Sequence, residues 1–105
     1  TAYYLDQDVY SVEWLSKYYK PGITVYGDSG RRNLILGSYG MISDRKQMTK
    51  DTPLNNAYLY LGYPNTKYGI MRETNLEYWY IDEITQVLSD TNLLYENGGA
   101  KIIYR

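Results

Sequence analysis

A chain of 105 residues with 44% apolar content suffices for one domain with a single modest core and is too short for two. Its 11 basic and 12 acidic residues are spread to a net charge of -1, so no basic stripe forms and nucleic acid is not an expected partner. Cys and His are both absent, which closes disulfides, thiolate metal sites and imidazole-based chemistry to this chain; neither a metal nor a cofactor is expected.

In chain order, Asp6 and Asp8 precede Val9, Val12, Leu15 and Tyr19, a spacing that paints one stripe of a helix over 8–19. Tyr10, Trp14 and Tyr18 form a flanking row on it. Asp8 is read as the N-cap, Lys17 and Lys20 suit the negative end of the helix dipole, and Pro21-Gly22 stops it. Residues 23–26 are a short β-branched strand closed by Gly27-Asp28-Ser29-Gly30. That turn, followed by Arg31 and Arg32, is the one segment resembling an anion cradle. It lacks the full dinucleotide fingerprint and the P-loop Lys, and a solvated turn with a charged edge is the plainer reading. Residues 33–40 have no decisive period and fit a short helix ending at Gly40 or a strand, with helix preferred. Residues 43–56 are polar and read as a long surface loop anchored by Met48 and Leu54.

The segment 57–62 alternates Leu and Tyr without a charge and predicts the central strand, with Leu59 and Leu61 on one face and Tyr58 and Tyr60 on the other. Tyr dominates the aromatic content, with 15 residues against no Phe. Each phenol buries a ring and needs a partner for its hydroxyl, so half-buried rings are expected, in a thin core or on a ligand surface. Residues 64–67 read as a turn, 68–71 as a short strand, 72–77 as a polar connection, and 82–89 as a second short helix capped by Asp82. The chain closes with 93–96, Asn97-Gly98-Gly99 and 100–104, a strong hairpin signal. The expected fold class is α/β: a small single domain over 1–105, with a mixed central sheet flanked by two or three short helices and a C-terminal β-hairpin. No apolar run reaches the length of roughly 18 residues that a membrane span requires.

The stretches Asp-Val-Tyr-Ser-Val-Glu-Trp-Leu-Ser-Lys-Tyr (8–18), Thr-Val-Tyr-Gly-Asp (24–28), Leu-Ile-Leu-Gly-Ser-Tyr-Gly (34–40), Tyr-Leu-Tyr-Leu-Gly-Tyr-Pro-Asn-Thr-Lys-Tyr-Gly (58–69) and Leu-Tyr-Glu-Asn-Gly-Gly-Ala-Lys-Ile-Ile-Tyr-Arg (94–105) carry a family likeness. They resemble the C-terminal soluble domain of archaeal multi-pass membrane proteins, which are themselves similar to glycosyltransferases using lipid-phosphate-linked sugars. The resemblance implies a domain cut from a longer membrane protein, placed on the extracytoplasmic face after the last transmembrane helix. It also implies that the catalytic carboxylate lies in an early outer loop of the membrane part. No position here corresponds to that loop, so no catalytic residue is carried over and the domain itself is not expected to be an enzyme.

The leading expectation is therefore a non-catalytic domain that positions or recognises a glycan or lipid-linked sugar acceptor, with its own transmembrane region and that glycan as partners. Candidate contacts are the exposed members of Tyr63, Tyr68, Tyr78 and Trp79, with Arg31 and Arg32 as a candidate anion site. The alternative is a structural or assembly module packed against its membrane part or cell-envelope partners. A third reading, a small enzyme using Asp28 with Arg31 and Arg32 on a phosphorylated substrate, lacks a nucleophile–base pair. Asp28, Glu73 and Glu77 otherwise read as turn and loop charges.

Overall fold

Tyr58–Leu61 forms strand β3, and all four of its residues are buried, as an uncharged Leu/Tyr alternation covered on both faces requires. In the computed structural model, which describes residues 6–74 and 77–105 without the side chains of 31–34, this strand lies at the middle of the main sheet. Val25–Gly27 (β1) pairs parallel with β3 on one side and parallel with Arg45–Gln47 (β2) beyond it. Lys101–Tyr104 (β7) pairs antiparallel with β3 on the other side and carries Asn92–Glu96 (β6) at the far edge. Among the described residues the order is β2-β1-β3-β7-β6, so the sheet is mixed and the domain is α/β.

Register sorts the core into two layers. Tyr60 opposes Ile102 and Leu59 opposes Ile103, so successive residues of both strands feed opposite faces. On one face Tyr58, Tyr60, Val25 and Ile102 meet Val12 and Leu15 of helix α1, Asp6–Tyr18, together with Ile35 and Leu36. On the other, Leu59, Leu61 and Ile103 meet Met48, Leu54, Met71, Trp79 and Ile84. Each fully buried Leu contributes roughly 1.5–3 kcal/mol.

The 31–39 region is helical, as preferred from sequence, but wound wider than an α-helix: the Gly40 N–H donates to the Ile35 carbonyl five residues back, at 2.9 Å. Gly40 ends this π helix where α1 crosses it. A Cβ there would lie 2.5 Å from Val12 Cγ1 and 3.1 Å from the Leu36 carbonyl, so the two helices approach this closely only over glycine.

Several expectations are corrected. The loop over 43–56 contains β2, whose three residues are polar because the strand lies at the sheet edge and none of them is buried; Met48 and Leu54 do anchor the segment, at 0% and 1% exposure. Residues 64–67 are not a bare turn but most of helix α2, Tyr63–Tyr68, with Pro64 in its first turn where a missing N–H costs nothing. The strand expected over 68–71 is Ile70–Arg72 (β4), and it pairs antiparallel with Tyr78–Tyr80 (β5) in a separate two-stranded ribbon.

The helix expected over 82–89 is a 3-10 turn, Ile81–Ile84, running into α3, Thr85–Leu88. The capping carboxylate there is Glu83, whose Oε2 accepts the Tyr80 N–H at 2.9 Å, where Asp82 was expected. Both helices expected to flank the sheet do so, on opposite faces. The hairpin β6–β7 forms as expected, with Gly98 at φ 87°.

Candidate functional site

Three parallel strands end together, and the chain leaving two of them builds the site. Asp28 follows β1 and Gly62 follows β3, at the carboxyl ends where open α/β sheets commonly offer a crevice. The sequence reading placed Asp8 at a helix cap and Asp28 in a solvated turn; both are instead buried, at 0% and 3% exposure. Their burial has a cause in hydrogen bonding, since a buried carboxylate must be satisfied.

Asp8 Oδ1 accepts the Tyr60 hydroxyl at 2.8 Å and the Tyr63 N–H at 3.2 Å. The Tyr60 hydroxyl is also 2.9 Å from Ser11 Oγ, whose own bond to the Asp8 carbonyl is 2.8 Å. Asp28 Oδ2 accepts from Asn65 Nδ2 at 2.8 Å and from the Arg72 N–H at 3.1 Å. Asn65 in turn donates to the Ile70 carbonyl, while its Oδ1 accepts the Gly62 N–H, each at 2.8 Å. Thus one buried acid fixes where α2 starts and the other ties α2 and β4 to the end of β1.

So anchored, α2 faces the β6–β7 hairpin across a cleft of about 520 Å³ lined by Tyr63, Thr66, Lys67, Glu96, Gly98, Ala100 and Lys101. Thr66 Oγ spans its base, donating toward the Gly99 carbonyl at 3.0 Å. The hairpin is held in turn on α1: Asn97 Nδ2 donates to the Gln7 carbonyl at 2.8 Å, and its Oδ1 accepts the Gly99 and Ala100 N–H groups at 3.2 and 3.0 Å. A Cβ on Gly99 would sit 2.8 Å from Gln7 Cβ, so a side chain there would push the hairpin away.

Tyr63 at the cleft and Tyr68 beside it are edge to face with ring centroids 6.3 Å apart, and Lys67 Nζ lies 5.4 and 5.9 Å from the two centroids. The hydrogen bond to Tyr63 and its charge, with a smaller effect of Tyr68, hold the Lys67 ammonium above its usual pKa of 10.5. Lys67 therefore remains a cation throughout neutral and mildly alkaline solution.

Of the four aromatic candidates, Tyr63 is half-buried and Tyr68 exposed, and these two are neighbours. Tyr78 is exposed on the ribbon beside Tyr80, with centroids 5.6 Å apart at right angles. A hydrogen bond between these phenols, then the charge of Tyr78, raises the Tyr80 pKa. Trp79 alternates to the inner side and is 4% exposed, so its face is spent on Met71, Ile84 and their neighbours. The side chains of Arg31 and Arg32 lie outside the described residues. Glu77 is exposed and Glu73 partly so. Sequence reasoning missed Thr66 and Lys67, which carry no pattern of their own beside Tyr63 and Tyr68, and Glu96 and Lys101, which the hairpin brings from a distant segment; the bond across the cleft from Thr66 to Gly99 spans 33 residues. Among the described residues no group of three or more acidic side chains converges as a metal site.

Fold and cleft together define a small α/β domain on a mixed five-stranded sheet, with a polar, aromatic-edged recess between α2 and the β6–β7 hairpin. Among the described residues no helix is long and apolar enough to cross a membrane. A family model described as predicted membrane protein (DUF2206) matches residues 2–104, and the chain belongs to that family. No curated protein and no solved structure matches it.

Proposed function

We propose that this chain is a non-catalytic extracytoplasmic domain of a membrane glycosyltransferase-like protein, and that it positions or recognises a glycan or lipid-linked sugar acceptor. The observation that carries this reading is Tyr63 and Lys67 lining a cleft of about 520 Å³, with the exposed Tyr68 ring packed edge to face on Tyr63 beside it. Aromatic rings stack on the apolar faces of sugars, while phenol, hydroxyl and ammonium groups at the rim bind sugar hydroxyls. Membership in a predicted membrane protein family supports the link to a membrane part. Tyr68 is 62% exposed, so Tyr68→Ala is expected to leave thermal stability unchanged while lowering glycan affinity at least about fivefold, the loss of a modest stacking contact. Isotope-edited titration with a set of oligosaccharides checks this. Tyr63 and Tyr68 resonances that stay fixed at saturating sugar would refute the reading.

A second reading, a module packed against its membrane part or a cell-envelope partner, is favoured by β6. Among the described residues this strand is a sheet edge, and it exposes Leu93 by 56% and Leu94 by 41%. On this reading, Leu93→Glu with Leu94→Glu leaves the isolated domain's stability within about 0.5 kcal/mol per site but abolishes its crosslinking to neighbours in the membrane. Unchanged crosslinking would exclude it.

A further inference from the structure

The cleft beside Tyr63 is not electrically neutral. Two ammonium groups line it, Lys67 from α2 and Lys101 from β7, against one carboxylate, Glu96 from β6. Glu96 Oε2 lies 3.3 Å from Lys101 Nζ, with both side chains nearly half exposed. Water screens such a pair, so Glu96 holds Lys101 loosely and can be exchanged for another anion. Among the described residues Lys67 is set against tyrosine rings rather than a carboxylate. Among the described residues the recess therefore offers one cation without an acidic partner, one with a replaceable partner, and the half-buried Tyr63 ring beside the first. Lys101 and Thr66 also border an adjoining hollow of about 410 Å³, whose walls include Leu61, Ile81, Leu88 and Ile103.

We infer that this cleft takes an acidic sugar unit, one bearing a phosphate or a carboxylate. Its acid group binds Lys67 and Lys101, displacing Glu96, and its ring packs on Tyr63. The inference rests on the glycan-recognition reading and adds the charge of the ligand. Charge-assisted bonds to an anion are about twice as strong as neutral ones, and they give discrimination that stacking alone does not. Two sources share this chemistry, a free sugar and one esterified to an apolar chain, and the adjoining hollow separates them: only the second has an apolar portion to place against Leu88 and Ile103.

The test is a two-dimensional NMR titration of the 105-residue chain with glucose, glucose 1-phosphate, glucuronate, inorganic phosphate and an octyl phosphodiester of glucose. Glucose 1-phosphate and glucuronate are expected to bind about tenfold tighter than glucose, shifting the amides of Tyr63, Thr66 and Lys101. Lys67→Gln and Lys101→Gln each weaken that binding by about fivefold or more, Glu96→Gln tightens it about twofold, and raised salt weakens it. Both lysines are exposed, so these variants retain the spectrum of the folded chain. Shifts that extend to Leu88 and Ile103 with the octyl diester support the lipid-linked source; shifts confined to the cleft support the free sugar. Glucose binding as tightly as its phosphate overturns the inference and leaves glycan recognition standing. Inorganic phosphate binding as tightly as glucose 1-phosphate overturns it in favour of a bare anion site. No shift with any sugar overturns both.

Discussion

Asp8→Ala is expected to cost about 3 kcal/mol or more of folding stability, the range found when one partner of a buried ionic hydrogen-bond network is removed. For a domain of this length that corresponds to a fall in melting temperature of at least about 10 °C. The size follows from what is stranded. The Tyr60 hydroxyl, in a ring with 0% exposure, loses its 2.8 Å acceptor, and the Tyr63 N–H loses its acceptor at 3.2 Å. The Tyr60 hydroxyl, away from bulk water, keeps the neutral Ser11 Oγ at 2.9 Å in place of a charged acceptor, which is a weaker bond. Tyr60→Phe removes the hydroxyl instead of orphaning it and is expected to cost about 1–2 kcal/mol, with Asp8 keeping the Tyr63 bond. A double-mutant cycle on Asp8 and Tyr60 should then return a coupling of about 1.5–3 kcal/mol. Thermal denaturation of the four proteins measures it, and additive effects would show that the pair is not energetically joined.

Asp28→Ala is the second large effect, with an expected cost of about 2–4 kcal/mol and a different distribution over the molecule. Asp28 receives one bond from α2, through Asn65, and one from the ribbon, through the Arg72 N–H. Its loss therefore frees the β4–β5 ribbon from the main sheet. The amides of Met71 and Arg72 should lose hydrogen-exchange protection by more than those of Tyr60 and Ile102, and Trp79, now 4% exposed, should emit at longer wavelength. Equal loss of protection at β3 and the ribbon would mean that Asp28 supports the whole core rather than this junction.

These two acids also show where the sequence was legible. The Leu/Tyr alternation of 58–61, the stripe through Val12 and Leu15, and the Asn97-Gly98-Gly99 turn specify their elements locally, because each signal lies within one turn or strand of its effect. The two faces of the sheet could be assigned from alternation alone. Asp8 and Asp28 could not be placed, because an acid near a helix start reads as a cap and one in a Gly-rich turn as a solvated charge unless a buried phenol or amide lies opposite, and those partners are 52 and 37 residues away. β2 escaped notice because Arg45, Lys46 and Gln47 carry no apolar pattern; β1 beside it supplies the pairing that makes them a strand. α2 was hidden for another reason: Pro64 and Asn65 favour turns, and only the bonds from Asn65 to Asp28 and Ile70, with Gly69 at φ 67° closing the end, turn that preference into a helix. For the site, Tyr63 and Tyr68 were readable as aromatic candidates in one segment, whereas Lys67 between them carried no signal of its own and Glu96 and Lys101 arrive from the hairpin.

The position of β7 inside the sheet sets the order in which the chain can mature. β3 forms its parallel edge with residues 25–26 early in synthesis, but its other edge is completed only by residues 101–104, with Ala57 and Arg105 exchanging backbone bonds at the margin. Until that last segment emerges, a Leu/Tyr strand with one open edge must wait unpaired, and closing a loop of this span is slow relative to local contacts. On a ribosome the domain is thus born late and all at once. Its most vulnerable moment, when neighbouring nascent copies could pair with the open edge of β3, falls just before residues 101–104 emerge.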